Sequence, residues 1–165
     1  MNAFTLLKAD HEKVAGILEK IDGTTERATK GREELFAQLK NELDVHTRIE
    51  EEILYPALEE YEETRAISLE AYEEHAVVKQ LLEELASAPK DDEQWTAKFT
   101  VLKENIEHHV EEEEGEMFPA ATPWQLAVGA ALTCYLMARI SWTIYESPIL
   151  SLKARWTKDA DGHIT

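Results

Sequence analysis

His46-Thr-Arg-Ile-Glu50-Glu-Glu-Ile-Leu-Tyr55-Pro56 is repeated, at the same internal spacing, as His109-Val-Glu-Glu-Glu113-Glu-Gly-Glu-Met-Phe118-Pro119. In both copies the His precedes the Glu by four residues and the Pro by ten. A second pair, Asp10-His11 and Glu74-His75, stands upstream of each copy, with 35 residues from His11 to His46 and 34 from His75 to His109. The chain therefore reads as two copies of one unit, each offering His and then His-x-x-x-Glu. Residues i and i+4 share one face of a helix, and imidazole with carboxylate is a transition-metal ligand set. Two such units facing each other would bring His11, His46, Glu50, His75, His109 and Glu113 to one point, as a two-metal site.

Four amphipathic patterns carry these residues. Phe4, Leu7, His11, Val14, Ala15 and Leu18 recur at helical spacing before the loop Asp22-Gly-Thr-Thr. From near Gly31, Leu35, Leu39, Leu43, His46, Glu50 and Ile53 align until Pro56 ends or kinks the helix. The third pattern runs from Thr64 to Ala86 with Tyr72, His75, Val78, Leu82 and Leu85 in register, and Ala88-Pro89-Lys-Asp-Asp breaks it. The fourth lines up Trp95, Phe99, Leu102, Ile106, His109 and Glu113 and leaves His108 mostly outward with Val101, Glu104 and Glu111. Short loops make consecutive helices antiparallel, so residues equally far from a loop lie level. His11 is about ten residues before its loop and His46 to Glu50 begin about fourteen after it, roughly 15 and 21 Å along the helices. The second hairpin behaves alike, with His75 about a dozen residues before its loop and His109 to Glu113 about seventeen after. The expected fold is all-α, an up-and-down four-helix bundle with six candidate ligands in one layer.

A single histidine on an apolar stripe is more often a hydrogen-bonded core residue than a ligand. Repetition at matching heights changes that reading, because burying two carboxylates without a cation costs several kcal/mol. Other metal sites fail on spacing. Ferritin-like bundles use Glu-x-x-His, whereas Leu43, Tyr72 and Ile106 stand three residues before His46, His75 and His109. His11-Glu12 lacks the second His of a zinc-protease motif, and the lone Cys134 excludes zinc-finger or iron–sulfur ligation. Four imidazoles with two carboxylates favour iron, with manganese or a mixed pair behind it and zinc only as a contaminant.

The order His11, His46-x-x-x-Glu50, His75, His109-x-x-x-Glu113, with Glu-Glu-Glu-Ile-Leu-Tyr-Pro at 50–56 and Glu-Glu-Gly-Glu-Met-Phe-Pro at 113–119, resembles the hemerythrin-like HHE cation-binding domain. The resemblance covers about residues 1–120. It implies a four-helix bundle holding two iron ions with an oxo or hydroxo bridge, the two Glu also bridging. Members of that family bind dioxygen, sense oxygen or redox state, handle nitric oxide, or decompose peroxide. With a tail near Met137-Ala-Arg-Ile and Ser147-Pro-Ile-Leu, the chain is most similar to stand-alone bacterial hemerythrin-like proteins credited with catalase-like activity. It departs from the oxygen carriers at one position. Those have a fifth histidine one turn beyond the third, where this chain has Lys79. A coordination position is then left for water, peroxide or a tyrosine, and Tyr55 and Tyr72 are the candidates. The commoner role of such a tyrosine is a core aromatic whose hydroxyl bonds a carboxylate, here a donor beside the ligands that could handle a peroxide proton.

Residues 121–165 form a second region. From Trp124 to Tyr145 the sequence is apolar, but the uninterrupted stretch before Arg139 is about thirteen residues, short of the roughly 20 that span a bilayer. The expectation is an additional C-terminal helix that packs on the bundle or pairs with its copy in a homodimer, not a membrane anchor. Lys plus Arg total 17 against 34 Asp plus Glu, a net charge of −17 that repels nucleic acid and anionic membrane. The start lacks the basic segment of a signal peptide, and one cysteine agrees with a reducing cytoplasm. The functional expectation is a cytoplasmic non-haem di-iron protein that decomposes hydrogen peroxide. Its rivals are reversible binding of dioxygen or nitric oxide for sensing or delivery, and iron storage or repair.

Overall fold

The apolar stripes read from the sequence turn inward, except that Ala15, at the edge of the first, is exposed. The computed structural model describes residues 3–121. Helices α1 (Ala3–Asp22) and α2 (Thr29–Ile49) form the first hairpin, and α2 runs on through a π-helical turn, Glu50–Leu54, into the short α3 (Tyr55–Leu58). Helices α4 (Glu62–Ser87) and α5 (Glu93–Glu112) form the second, and α5 continues through a π-helical turn, Glu113–Met117, into α6 (Phe118–Ala120). The main packing partners are α1 with α2 and α4 with α5. This is the up-and-down four-helix bundle that the periodicity indicates. Among the described residues there is no strand, and no helix is long and apolar enough to cross a membrane. The expected helix within 121–165, its apolar stretch at 124–145 and Cys134 lie outside the described residues.

Two apolar clusters fill the bundle. One, at the loop end, contains Val14, Ile17, Leu39, Leu43, Val78, Leu82, Trp95, Phe99 and Ile106 among others. The other gathers Phe4, Leu7, Ile49, Leu54, Tyr55, Leu58, Ala71, Met117 and Phe118. Between Leu7 and Val14 on α1 sits His11, and the other candidate ligands fall at the same junction. All six are buried. The polar layer is thus walled by hydrocarbon on both sides, which excludes water and strengthens every electrostatic contact inside it.

Pro56 ends or kinks a regular α-helix, and the structure shows how the chain absorbs it. Proline lacks an N–H, and its ring crowds the carbonyl four residues back. The backbone responds by widening. The Tyr55 N–H bonds to the Glu50 carbonyl five residues back, and the Phe118 N–H bonds likewise to the Glu113 carbonyl. Such π turns add one residue to a helical turn and occur often at functional sites. In a straight α-helix, residues five apart face about 140° from each other. With one residue absorbed, Tyr55 comes round to within about 40° of Glu50.

At the loop end a buried arginine ties the two hairpins together. Arg32 donates to Thr24 Oγ1 at 2.8 Å, to the Lys90 carbonyl at 2.9 Å and to Thr96 Oγ1 at 3.1 Å, with its guanidinium 5.2 Å from the Trp95 ring centre. Lys90 caps the end of α4 by donating to the carbonyls of Leu85 and Ala88 at 2.7 and 2.8 Å. Hydrogen bonds from a charged donor are worth about 1.5–3 kcal/mol. We expect Arg32→Ala to cost about 3 kcal/mol in denaturant unfolding, because it leaves buried loop acceptors unpaired.

Candidate metal centre

Each long helix delivers its histidine, and the two π turns deliver the glutamates. The Nε2 atoms of His11 and His46 lie 3.1 Å apart, and those of His75 and His109 also 3.1 Å apart. Glu50 spans the two pairs: Oε1 is 3.2 Å from His46 Nε2 and Oε2 is 3.5 Å from His75 Nε2. Glu113 spans them in the other sense, with Oε2 3.3 Å from His11 Nε2 and Oε1 3.7 Å from His109 Nε2. The sequence-based ligand set therefore converges on two adjacent positions, one between His11 and His46 and the other between His75 and His109.

Donors held about 2.1 Å from a shared cation stand about 3.0–3.4 Å apart at right or tetrahedral angles. Most of the distances above are edges of that kind. Glu50 Oε1, Glu50 Oε2 and Glu113 Oε2 are buried and have no hydrogen-bond partner. Buried carboxylate oxygens without donors are costly, and each of these faces an imidazole nitrogen across the space of one cation. The residues fit two metal ions.

The outer nitrogens are held by carboxylates that the sequence reading passed over. His11 Nδ1 lies 2.8 Å from Glu114, His75 Nδ1 3.0 Å from Glu51 and His109 Nδ1 2.7 Å from Glu74. A carboxylate on Nδ1 fixes the ring and directs Nε2 to the metal. A signal existed: Glu51 and Glu114 each follow a spanning glutamate, and Glu74 directly precedes His75. Nothing in a one-dimensional pattern showed that each partner comes from a different helix.

Electrostatics follow from burial. The Glu50 carboxyl is driven well above its ordinary range by burial and then by the charge of Glu113. Burial pushes Glu113 the same way, but the His11 ring 3.3 Å away and the charges of His109 and His46 outweigh it and hold it at about 2. Burial, then the charge of His11, lowers His46 to about 3, while burial and His109 lower His75 to about 4. Both rings are neutral at physiological pH, the form that binds metal.

The two tyrosines part company. Tyr55 is fully buried and donates to Glu113 Oε1 at 2.8 Å, with its hydroxyl 3.2 Å from His75 Nε2 and 3.5 Å from His109 Nε2. Burial, then Glu50 and Glu113, raise its pKa above the ordinary phenol value, so it stays protonated and acts as a hydrogen-bond donor. Tyr72 donates to the backbone carbonyl of Glu51 at 3.3 Å and packs edge-on against the Tyr55 ring. Lys79 reaches outward to Glu51, at 2.7 Å from Oε2. His108 is 62% exposed and groups with Glu74 and Glu112 at the surface, outside the buried layer. A cavity of about 20 Å³ opens beside the four rings, walled by Val14, Leu43, Thr47, Val78, Ile106 and Val110. That is room for about one water-sized molecule.

Residues 2–121 match the family described as Hemerythrin HHE cation binding domain. An uncharacterised protein of Mycobacterium tuberculosis, Rv2633c, is 32% identical over 96% of this chain and 97% of its own length. A DNA nickase of a Nostoc species is 26% identical over 73% of this chain but only 33% of its own length. Among solved structures, an HHE cation-binding-domain protein of Mycobacterium kansasii, a homologue of Rv2633c, superposes with a TM-score of 0.69 at 27% identity. That match covers 88% of this chain and 94% of the other.

Two measurements test the ligand geometry. His109→Ala should remove at least one metal per chain by elemental analysis, whereas His108→Ala should keep both. Equal losses would place the wrong face of α5 inward. Glu50→Gln should bind less than one metal per chain. With its pKa raised above the ordinary 4.5, Glu50 takes up a proton on folding and so destabilises the metal-free protein increasingly as pH rises past 4.5. Metal-free Glu50→Gln should therefore gain on wild type by up to about 1.4 kcal/mol per pH unit above 4.5, read by denaturant unfolding in chelator.

Proposed function

Because this chain belongs to the hemerythrin HHE cation-binding family and is a metal-binding protein of that kind, we propose that its centre holds two iron ions and decomposes hydrogen peroxide to water and dioxygen. One iron would lie between His11 and His46 and the other between His75 and His109, with Glu50 and Glu113 on both. When bound, the pair supplies the two-electron redox chemistry of the reaction.

Tyr55 carries the reading. Disproportionation of two peroxides into two waters and dioxygen requires protons to leave one peroxide and reach the oxygens of the other. A phenol kept protonated, 2.8 Å from the Glu113 carboxylate and 3.2 Å from His75 Nε2, is a fixed hydrogen-bond donor at the metal positions, able to hold a peroxide oxygen as its proton moves. The cavity supports the same chemistry. Its volume of about 20 Å³ excludes organic substrates, and Val14, Leu43, Val78, Ile106 and Val110 keep bulk water from the rings. A surface groove lined by Glu12, Ala15, Glu107 and Glu111 shares His11 and Val110 with that cavity, so the seam between α1 and α5 is the route proposed for peroxide. Its acidic rim turns away anions and admits neutral peroxide. A cytoplasmic location belongs to the same proposal.

The apolar wall of the cavity also favours a diatomic ligand, so the second reading is reversible binding of dioxygen or nitric oxide without turnover. One experiment separates the two. The iron-loaded, oxidised protein should evolve dioxygen on addition of peroxide, followed with an oxygen electrode. Tyr55→Phe should retain its iron and lower the turnover number about 100-fold. If the wild type evolves none, and the reduced protein instead gains an absorption band with dioxygen that vanishes under vacuum, the binding reading takes its place.

A further inference from the structure

The two metal positions are built from repeated units, yet they are not supported equally. Three of the four inward histidines have a carboxylate on Nδ1. The fourth, His46, has none, and its Nδ1 is buried without any partner. The repeat says which residue should serve it. His109 is held by Glu74, the residue directly before His75, and its counterpart in the first unit is Asp10, directly before His11. Asp10 is one methylene shorter than Glu74, about 1.5 Å of reach, and it sits half-buried among the charges of Lys13, Glu42 and His11. The pairs that do cross between units match: Glu114 serves His11 as Glu51 serves His75. The one position where the repeat carries the shorter acid thus corresponds to the one ring of four without a carboxylate.

The geometry points to unequal metal positions, in which the ion between His75 and His109 is held tightly and the ion between His11 and His46 is labile, with Asp10 and Glu74 as the positioning residues that set the difference. A carboxylate on Nδ1 locks the ring and raises the basicity of Nε2, and removing one typically weakens metal binding about 10- to 100-fold. His46 is a ligand to one position only, so the loss falls on that position. The protein then has a populated one-metal state, and its second ion is the one that exchanges. This inference rests on the two-iron reading, although it concerns affinity and not turnover.

Anaerobic competition between the full-length chain and a colorimetric ferrous chelator tests it directly. Wild type should release iron in two steps about 10- to 100-fold apart in chelator strength. Asp10→Glu should restore the missing partner and merge the steps at the tighter position. Glu74→Asp copies the first unit's arrangement into the second and should merge them at the weaker one. Opposite shifts from exchanging the same two residue types are not expected of a general loss of packing, and far-UV circular dichroism of the metal-free variants should be unchanged. A single step in wild type, or a gap that survives both substitutions, overturns the inference. So does a gap that closes only in Tyr55→Phe, which would trace it to the phenol beside His75 and His109. Binding of fewer than two irons at any concentration would instead bring down the two-iron reading, and this inference with it.

Discussion

Two carboxylates that cannot remain uncompensated govern this molecule. Glu50 and Glu113 are 0% and 1% exposed, and three of their four oxygens receive no hydrogen bond. Isolated buried charge costs far more than a small domain's net stability. Glu113 is held ionised by imidazoles, and Glu50 is driven towards its protonated form. Cations held within the two histidine pairs would let both stay ionised, so the bundle is organised around a demand for positive charge at its centre. The two apolar clusters on either side sharpen that demand by excluding the water that would otherwise relieve it.

Repetition supplies the candidate ligands, and departures from it make the two halves unlike. Tyr55 and Phe118 occupy equivalent places, but only Tyr55 brings a hydroxyl, at 2.8 Å from Glu113. Phe118 lies nearly parallel to the His11 ring. Lys79 corresponds to Ala15 in the first unit. The lysine is drawn outward to Glu51, while the small alanine lines the surface groove beside His11 and Val110. Thr47 and Val110 line the cavity from equivalent positions as one hydroxyl and one methyl pair. Each change makes the two units unlike, and the hydroxyl of Tyr55 and the small side chain of Ala15 both belong to the first.

Much of this was legible in the chain itself. Helix periodicity near 3.6 placed Leu7, His11 and Val14, or Leu39, Leu43 and His46, on one inward stripe, and the repeat made six polar residues on such stripes significant. Those inferences need only local geometry, which sequence encodes directly. The four helices, their antiparallel order and the convergence of four histidines and two glutamates follow from it. The fifth-helix expectation beyond Ala121 belongs to residues the structure does not describe.

What the tertiary structure alone decided are the features that break the period or join distant helices. A constant 100° per residue cannot register the π turns at Glu50–Leu54 and Glu113–Met117, which rotate Tyr55 into the layer and leave Tyr72 on the Glu51 backbone. Nor can it pair Glu51 with His75 or Glu114 with His11, because those contacts join one unit to the other across the bundle. Arg32, on the same stripe as Phe36 and Leu39, reads as a surface charge until two loops are seen to close over it. Sequence fixes which face a side chain presents over one turn of its own helix. Which partner meets it there depends on a length difference as small as the methylene between Asp10 and Glu74, and only the packed bundle measures that distance.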